Sequence, residues 1–188
     1  MVKEGIRILG LDDCYINKEV WVVGILYRLN AGVEGVIRFN IEKDGFDSTE
    51  AIINHVKRSR FGKTINVIMT NGISFGGFNI FDPKKIFNET GIPIIVISTK
   101  RPRFDKIRKA LKKLSNWKKR WGLVKKFGEV KEIKIKNSLI YFQHIGIKET
   151  DARAIIRKSC VRSKVPEPIR LAHLIASGVS LGESTRKI

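Results

Sequence analysis

Residues 67–78 read "VIMTNGISFGGF", an apolar run that stops at Asn71-Gly72 and passes into glycines. Two stretches, "TINVIMT" (64–70) and "IPIIVIS" (92–98), are almost wholly apolar, as expected for central parallel strands covered on both faces. Between them, "DPKKIFNETG" supplies Asp82 to cap a helix, Pro83 for its first position and Gly91 past its end. Strand, helix and strand make a βαβ crossover, and Asn71-Gly72 reads as the turn at the end of its first strand.

The same reading extends outward. Residues 6–13, 20–28 and 32–41 are β-rich runs with short connections, which predicts three consecutive antiparallel strands. "DSTEAIINHVKRS" (47–59) changes period: Asp47 or Ser48 can cap a helix with Ala51, Ile52, His55 and Val56 on one face. Residues 100–136 hold 16 Lys and Arg against Asp105, Glu129 and Glu132, so +13 of the chain's formal +19 lies there. Phe104, Ile107, Leu111 and Leu114, then Trp117, Trp121 and Val124, predict amphipathic helices with cationic outer faces. "VKEIKIK" and "SLIYFQHIGI" are strand-like. Helices are expected at 148–162 and 166–178, the second with Pro166 near its start and Gly178 at its end. With no repeat, low-complexity tract or linker, residues 1–188 read as one α/β domain.

A pI near 10.2 makes a polyanion the first partner to consider, because basic side chains release counterions from a phosphate backbone. The plain alternative is a solvated, Lys-rich surface. Cys14 and Cys160 form no CxxC or Cys/His cluster, which fits a reducing cytoplasm and no structural zinc. No run approaches about 18 apolar residues, so neither secretion nor membrane spanning is expected.

Several residues could carry chemistry. Asp12 and Asp13 end the first strand, where adjacent side chains point to opposite faces and at most one can face a given site. Asp44 and Asp47 sit in "EKDGFDSTE" before the first helix, and Asn71 ends the fourth strand. Oxygen-bearing side chains converging from strand ends suit Mg²⁺ or Mn²⁺, which activates water for phosphodiester displacement. The plain readings are a helix cap for Asp47 and a turn at Asp44-Gly45. His144 follows a strand and opens a loop, a position where site residues tend to lie. His55 reads as structural or solvated, and His173, in "RLAHLIAS", as a satisfied half-buried histidine. In "NWKKRWG", Trp117 and Trp121 either stack on bases or form one helix's core face; the second reading is favoured. Lys118, Lys119 and Arg120, with Lys100, Arg101 and Arg103, are candidate phosphate contacts.

"GLDD", "TNGISFGGFNIFD", "GIPIIVIS", "PEPIRLAHLIASG" and the closing "GES" resemble the archaeal family catalogued as domain of unknown function ninety-nine, which is related to endonuclease V. The resemblance spans nearly the whole chain. It implies a ribonuclease H-like mixed sheet, an antiparallel three-stranded meander followed by parallel strands, with flanking helices. It also implies Mg²⁺-dependent cleavage of DNA near a deaminated base, uracil or hypoxanthine. By carry-over, Gly10-Leu11-Asp12 resembles the first-strand metal ligand of endonuclease V. Asn71-Gly72 resembles its Asp-Gly strand end, and His144 with Glu149-Thr150 its His and Glu-Thr segment. No glutamate matches that family's remaining ligand; Asp44 or Asp47 is the nearest substitute, and Asp13 with these acids is a further way to hold one metal. Gly76 and Gly77 could let the backbone approach an unstacked base, or serve tight packing. Asn71 keeps the size of a carboxylate but not its charge. Three readings therefore stand: a nuclease, a non-catalytic nucleic-acid binder of DNA or RNA, and an inactivated variant. The edge strand of the meander could support a homodimer.

Overall fold

The computed structural model describes residues 5–184, so both ends of the 1–188 span lie outside the described residues. β1 (Arg7–Ile16), β2 (Glu19–Arg28) and β3 (Gly32–Ile41) form the expected antiparallel meander, with Asp12 opposite Val23 and Val23 opposite Arg38. α1 (Ser48–Arg58) leads to β4 (Val67–Asn71), which pairs in parallel with β1, Leu11 beside Thr70. A short hairpin, β5 (Ser74–Phe75) and β6 (Asn79–Ile80), precedes α2 (Pro83–Thr90) and β7 (Ile94–Ser98). β7 lies parallel to β4, completing the crossover, with Asn71 beside Ile97. Then come α3 (Phe104–Leu111), α4 (Trp117–Val124), β8 (Lys131–Ile135), β9 (Ser138–Ile145), α5 (Glu149–Ser159) and α6 (Glu167–Leu181). Among the described residues the main sheet runs β3-β2-β1-β4-β7-β9-β8.

Strand alternation sorts the apolar residues onto two faces. Leu9, Leu11, Val22, Ile68 and Val96 pack against α1 to α4, together with Phe75, Phe81 and Phe127. Ile8, Val67, Met69, Ile95 and Phe142 pack against α5 and the start of α6. Val23, Ile25 and Cys14 meet Ala172 and Ala176 of α6. Trp117 and Trp121 lie half-buried against the first of these clusters, so their rings belong to the core side of α4.

The local signals of the crossover helix act as expected. The Asp82 side chain accepts from the amides of Lys84 and Lys85, and Gly91 closes α2 in the left-handed region at φ 70°. Several boundaries differ from expectation, the first being that of β1, which does not end at Asp12-Asp13 but runs on to Ile16, paired with β2 throughout. Residues 62–64 form a 3-10 turn rather than the start of β4, and α6 runs through Gly178 to end at Gly182, φ 84°. Gly178 meets nothing that would stop the helix, whereas Gly182 adopts the conformation that helix ends favour.

Gly10 decides how close α6 can come. A Cβ built there would lie 2.4 Å from both the backbone carbon and the oxygen of Pro168. Even a methyl group must therefore push α6 off the sheet. Gly10→Ala should destabilise the protein by about 1–3 kcal/mol, and Gly10→Val by more, read as a lowered denaturant midpoint with unchanged slope.

Candidate functional site

The pairing of the parallel strands β1 and β4 stops at one edge of the sheet, where β4 ends and β1 runs on with β2 alone; clefts at such edges of α/β sheets commonly bind ligands. One step past the Leu11–Thr70 pair, the last of the β1–β4 register, come Asp12 and Asn71 on neighbouring strands; adjacent strands of a sheet run about 4.8 Å apart. Both face α5 and α6: Asp12 is bonded to α6, and Asn71 shares its parity with Val67 and Met69. Gly72 turns the chain away at φ 88°, and its carbonyl accepts from Thr70 Oγ1 at 2.8 Å.

His173, on α6, places Nδ1 2.7 Å from Asp12 Oδ2. This is the contact that sequence reasoning passed over: His173 is half-buried, as expected, but its partner is the principal candidate carboxylate. The signal available was the small-residue pattern Ala172 and Ala176 around it, which marks a helix face pressed onto a sheet. His144, by contrast, lies on β9 beside Ile95 of β7, with Nδ1 2.9 Å from the Ile147 carbonyl oxygen. It shares the face of Asp12 but stands three strand spacings away, about 14 Å laterally, so the two are not brought together.

The other acids go to the opposite face. Asp13 Oδ2 accepts from the Gly76 amide at 2.9 Å, and Asp44 Oδ1 from the Phe78 amide at 2.8 Å. Asp47 sits at the start of α1, but its carboxylate caps no helix amide; it accepts from the Glu42 amide and from Asn79 Nδ2. Asp13 thus ties the glycine loop to β1, while Asp44 and Asp47 tie Phe78 and Asn79 to the segment after β3. Gly76 is buried and Gly77 exposed, and a Cβ at Gly77 would lie 2.5 Å from Asp44 Oδ1. Tight packing is thus the first use of these glycines. Among the described residues, no three of His, Cys, Asp and Glu are grouped to hold a metal ion.

Arg120 does not serve as a surface phosphate contact. It is 3% exposed, and its guanidinium donates to the carbonyls of Asp44, Gly45 and Phe78 while lying 4.1 Å from the centre of the Phe46 ring. Its position on the inner side of α4 buries it, while Lys118 and Lys119, with Lys100, Arg101 and Arg103, remain exposed.

Beside Gly72 a cavity of about 170 Å³ opens between β7, β9 and α3, lined chiefly by Ile73, Val96, Phe104, Ile107 and Tyr141. It lies below the ~300 Å³ of a typical drug-sized site.

Burial pushes the Asp12 carboxyl up to about 6, with the Asp13 charge adding to the shift and His173 opposing it. Burial also raises Asp13 against the pull of the Gly76 amide. A folded-state pKa above the unfolded value of about 3.9 means that the favourable contribution of Asp12 is complete below pH 4 and lost as pH rises through 6. Asp12→Asn should therefore stabilise the protein above pH 6, by at most about 3 kcal/mol, and by progressively less toward pH 4. Denaturant unfolding in a metal chelator at pH 4.5 and 8 measures the difference.

Comparison with known proteins gives this geometry a family. UPF0215 proteins of Methanosarcina mazei and Pyrococcus furiosus are 43% and 40% identical to the chain; each match covers 99% of it, and 96% and 98% of the relatives. A crystal structure of a protein of unknown function from Archaeoglobus fulgidus superposes with a TM-score of 0.86 at 33% identity, covering 94% of this chain and 99% of that one. Endonuclease V of Ciona intestinalis, in complex with DNA containing an inosine followed by a ribo-adenosine, matches with a TM-score of 0.58 at 10% identity, over 93% and 85% of the two chains. Bacillus subtilis endonuclease V gives 0.57 at 15%, over 94% and 81%. The fold is accordingly the ribonuclease H-like fold of endonuclease V. The sequence profile of the endonuclease dU family matches residues 4–180, and the chain belongs to that family.

Proposed function

We propose that the protein is a metal-dependent endonuclease that cuts DNA at or near a deaminated base, uracil or hypoxanthine. The observation that carries this reading is the Asp12–His173 pair standing beside Asn71 where the pairing of the parallel strands stops. Asp12 and Asn71 offer adjacent hard oxygens. That suits a Mg²⁺ or Mn²⁺ site with one carboxylate, completed by water and substrate phosphate. The buried Asp12 carboxylate, raised in pKa, has no Lys or Arg paired with it among the described residues, which is consistent with such a donor set. When bound, the ion would polarise the scissile phosphate and lower the pKa of water.

The chain's own groups supply orientation and a proton carrier. Asp12 holds the His173 ring through Nδ1 and so orients a histidine, a group able to exchange protons near neutrality, where the β1–β4 pairing stops. The cavity beside Gly72 offers apolar walls to a single flat ring unstacked from its strand, and Phe104 and Ile107 bring those walls from the basic segment. The net charge of +19 supports capture of the phosphate backbone. Asn71 favours the second reading, a nucleic-acid binder without catalysis, because an amide binds Mg²⁺ more weakly than a carboxylate.

Labelled oligonucleotides containing uracil, hypoxanthine or neither, incubated with Mg²⁺ or Mn²⁺, separate the two. Cutting near the deaminated base is expected, faster for Asn71→Asp. His173→Ala should slow it by about 10²–10⁴-fold while His144→Ala leaves it within a few-fold. No cutting by either the protein or Asn71→Asp would leave only the binding reading.

A further inference from the structure

β1 pairs with β4 only as far as Leu11, but with β2 as far as Ile16, which faces Glu19. The β1–β2 hairpin therefore juts past the sheet edge, turning at Asn17 and Lys18 in the left-handed region. Tyr15 sits on this projection, three residues or about 10 Å beyond Asp12. Two residues on from Asp13, it points to the same side, the side covered by α1 to α4. The ring is 46% exposed, and Lys43 Nζ lies 5.8 Å from its centre.

That pairing is repeated along one side of the molecule. Lys119 Nζ stands 4.4 Å from the Phe46 ring, three residues on from Lys43, and on the adjoining helices Lys112 lies over Trp117 and Arg108 over Trp121. Aromatic rings alternating with cations are the composition of a track that stacks unpaired bases and neutralises their phosphates. The Trp rings are half-buried in the core, so within this series Tyr15 has the ring with the most open face.

We propose that Tyr15 is a base-stacking residue, the outer end of a Tyr15–Lys43–Phe46–Lys119 track that binds the single-stranded segment flanking the reacting phosphodiester. This deepens the proposed function and rests on it for the identity of the ligand. A fully paired duplex presents no free base face to such a ring, so the track selects strands already unpaired or opened.

Equilibrium binding of a fluorescently labelled single-stranded oligonucleotide, in chelator so that nothing is cut, tests the assignment. Tyr15→Ala should weaken binding about tenfold with an unchanged salt slope, whereas Tyr15→Phe and Tyr15→Trp retain it. Lys43→Ala should instead lower the slope of log affinity against log salt by about one. On an abasic strand of equal length, the protein and Tyr15→Ala should bind alike. Equal binding of the two on the base-bearing strand overturns the proposal, as does the same loss on the abasic strand, which would mark a change in structure rather than a lost stack. Neither result bears on whether Asn71→Asp cuts, so the two readings fail separately.

Discussion

The backbone of Gly10 lies against the backbone of Pro168, and the candidate site depends on that approach. From the contact point, Asp12 is two residues along an extended strand, about 6.7 Å. His173 is five residues along a helix, about 7.5 Å. The two rises nearly match, so a helix pressed onto β1 at Gly10 delivers His173 to Asp12 without further adjustment. The start of α6 is itself pinned. Glu167 is 4% exposed and accepts from Arg170 Nε and Nη2 and from the Arg162 amide. Burial alone would raise its carboxyl, yet these partners hold it below its ordinary value. A buried ion pair of this kind fixes position more than it adds stability.

Because neighbouring strand residues face opposite ways, Asp12 and Asp13 divide the work. Asp12 turns to α6, while Asp13 joins Asp44 and Asp47 in holding the glycine loop. Arg120 completes that second construction, binding three backbone carbonyls with no carboxylate hydrogen-bonded to it and with Nε buried and unpartnered among the described residues. Its positive charge is tolerated because carbonyl dipoles and the Phe46 ring surround it. The consequence reaches the surface: α4, whose outer side carries Lys118 and Lys119, is tied to the same loops that Asp13 and Asp44 hold. The basic side of the molecule is thus fastened to the glycine loop that Asp13 and Asp44 hold.

The sequence made the meander, the crossover and the capped α2 legible because each rests on local signals: period-two runs, continuous apolar strands, and the Asp82, Pro83 and Gly91 boundary residues. The site was legible only in its strand-borne half. Asp12 and Asn71 are placed by strands, which periodicity locates, although only Asn71 ends its strand and β1 runs on from Asp12 to Ile16. His173 arrives from a residue 161 positions away in sequence, and nothing local in "RLAHLIAS" names its partner. Arg120 was misassigned for a related reason: a cation in a run of cations looks like surface until tertiary contacts select which one turns inward. His144 shows the converse: expected to open a loop, it lies on β9, its Nδ1 against the carbonyl oxygen three residues ahead.

The asparagine at the end of β4 also has an effect in the metal-free protein. With an amide at position 71, the Asp12 carboxyl already sits at about 6, because burial disfavours its charge. A second carboxylate on the neighbouring strand would add a like charge, and two such charges about 5 Å apart repel by roughly 3 kcal/mol at an effective dielectric of 20. Such a pair would hold a proton near neutrality or require a cation to separate the charges. An edge with Asp12 and Asn71 requires neither: the single charge is oriented by His173 and the amide keeps the shape. Under the proposed function, the amide that would weaken a divalent ion's hold on this edge is therefore also the one that spares the ion-free protein a second partly buried charge.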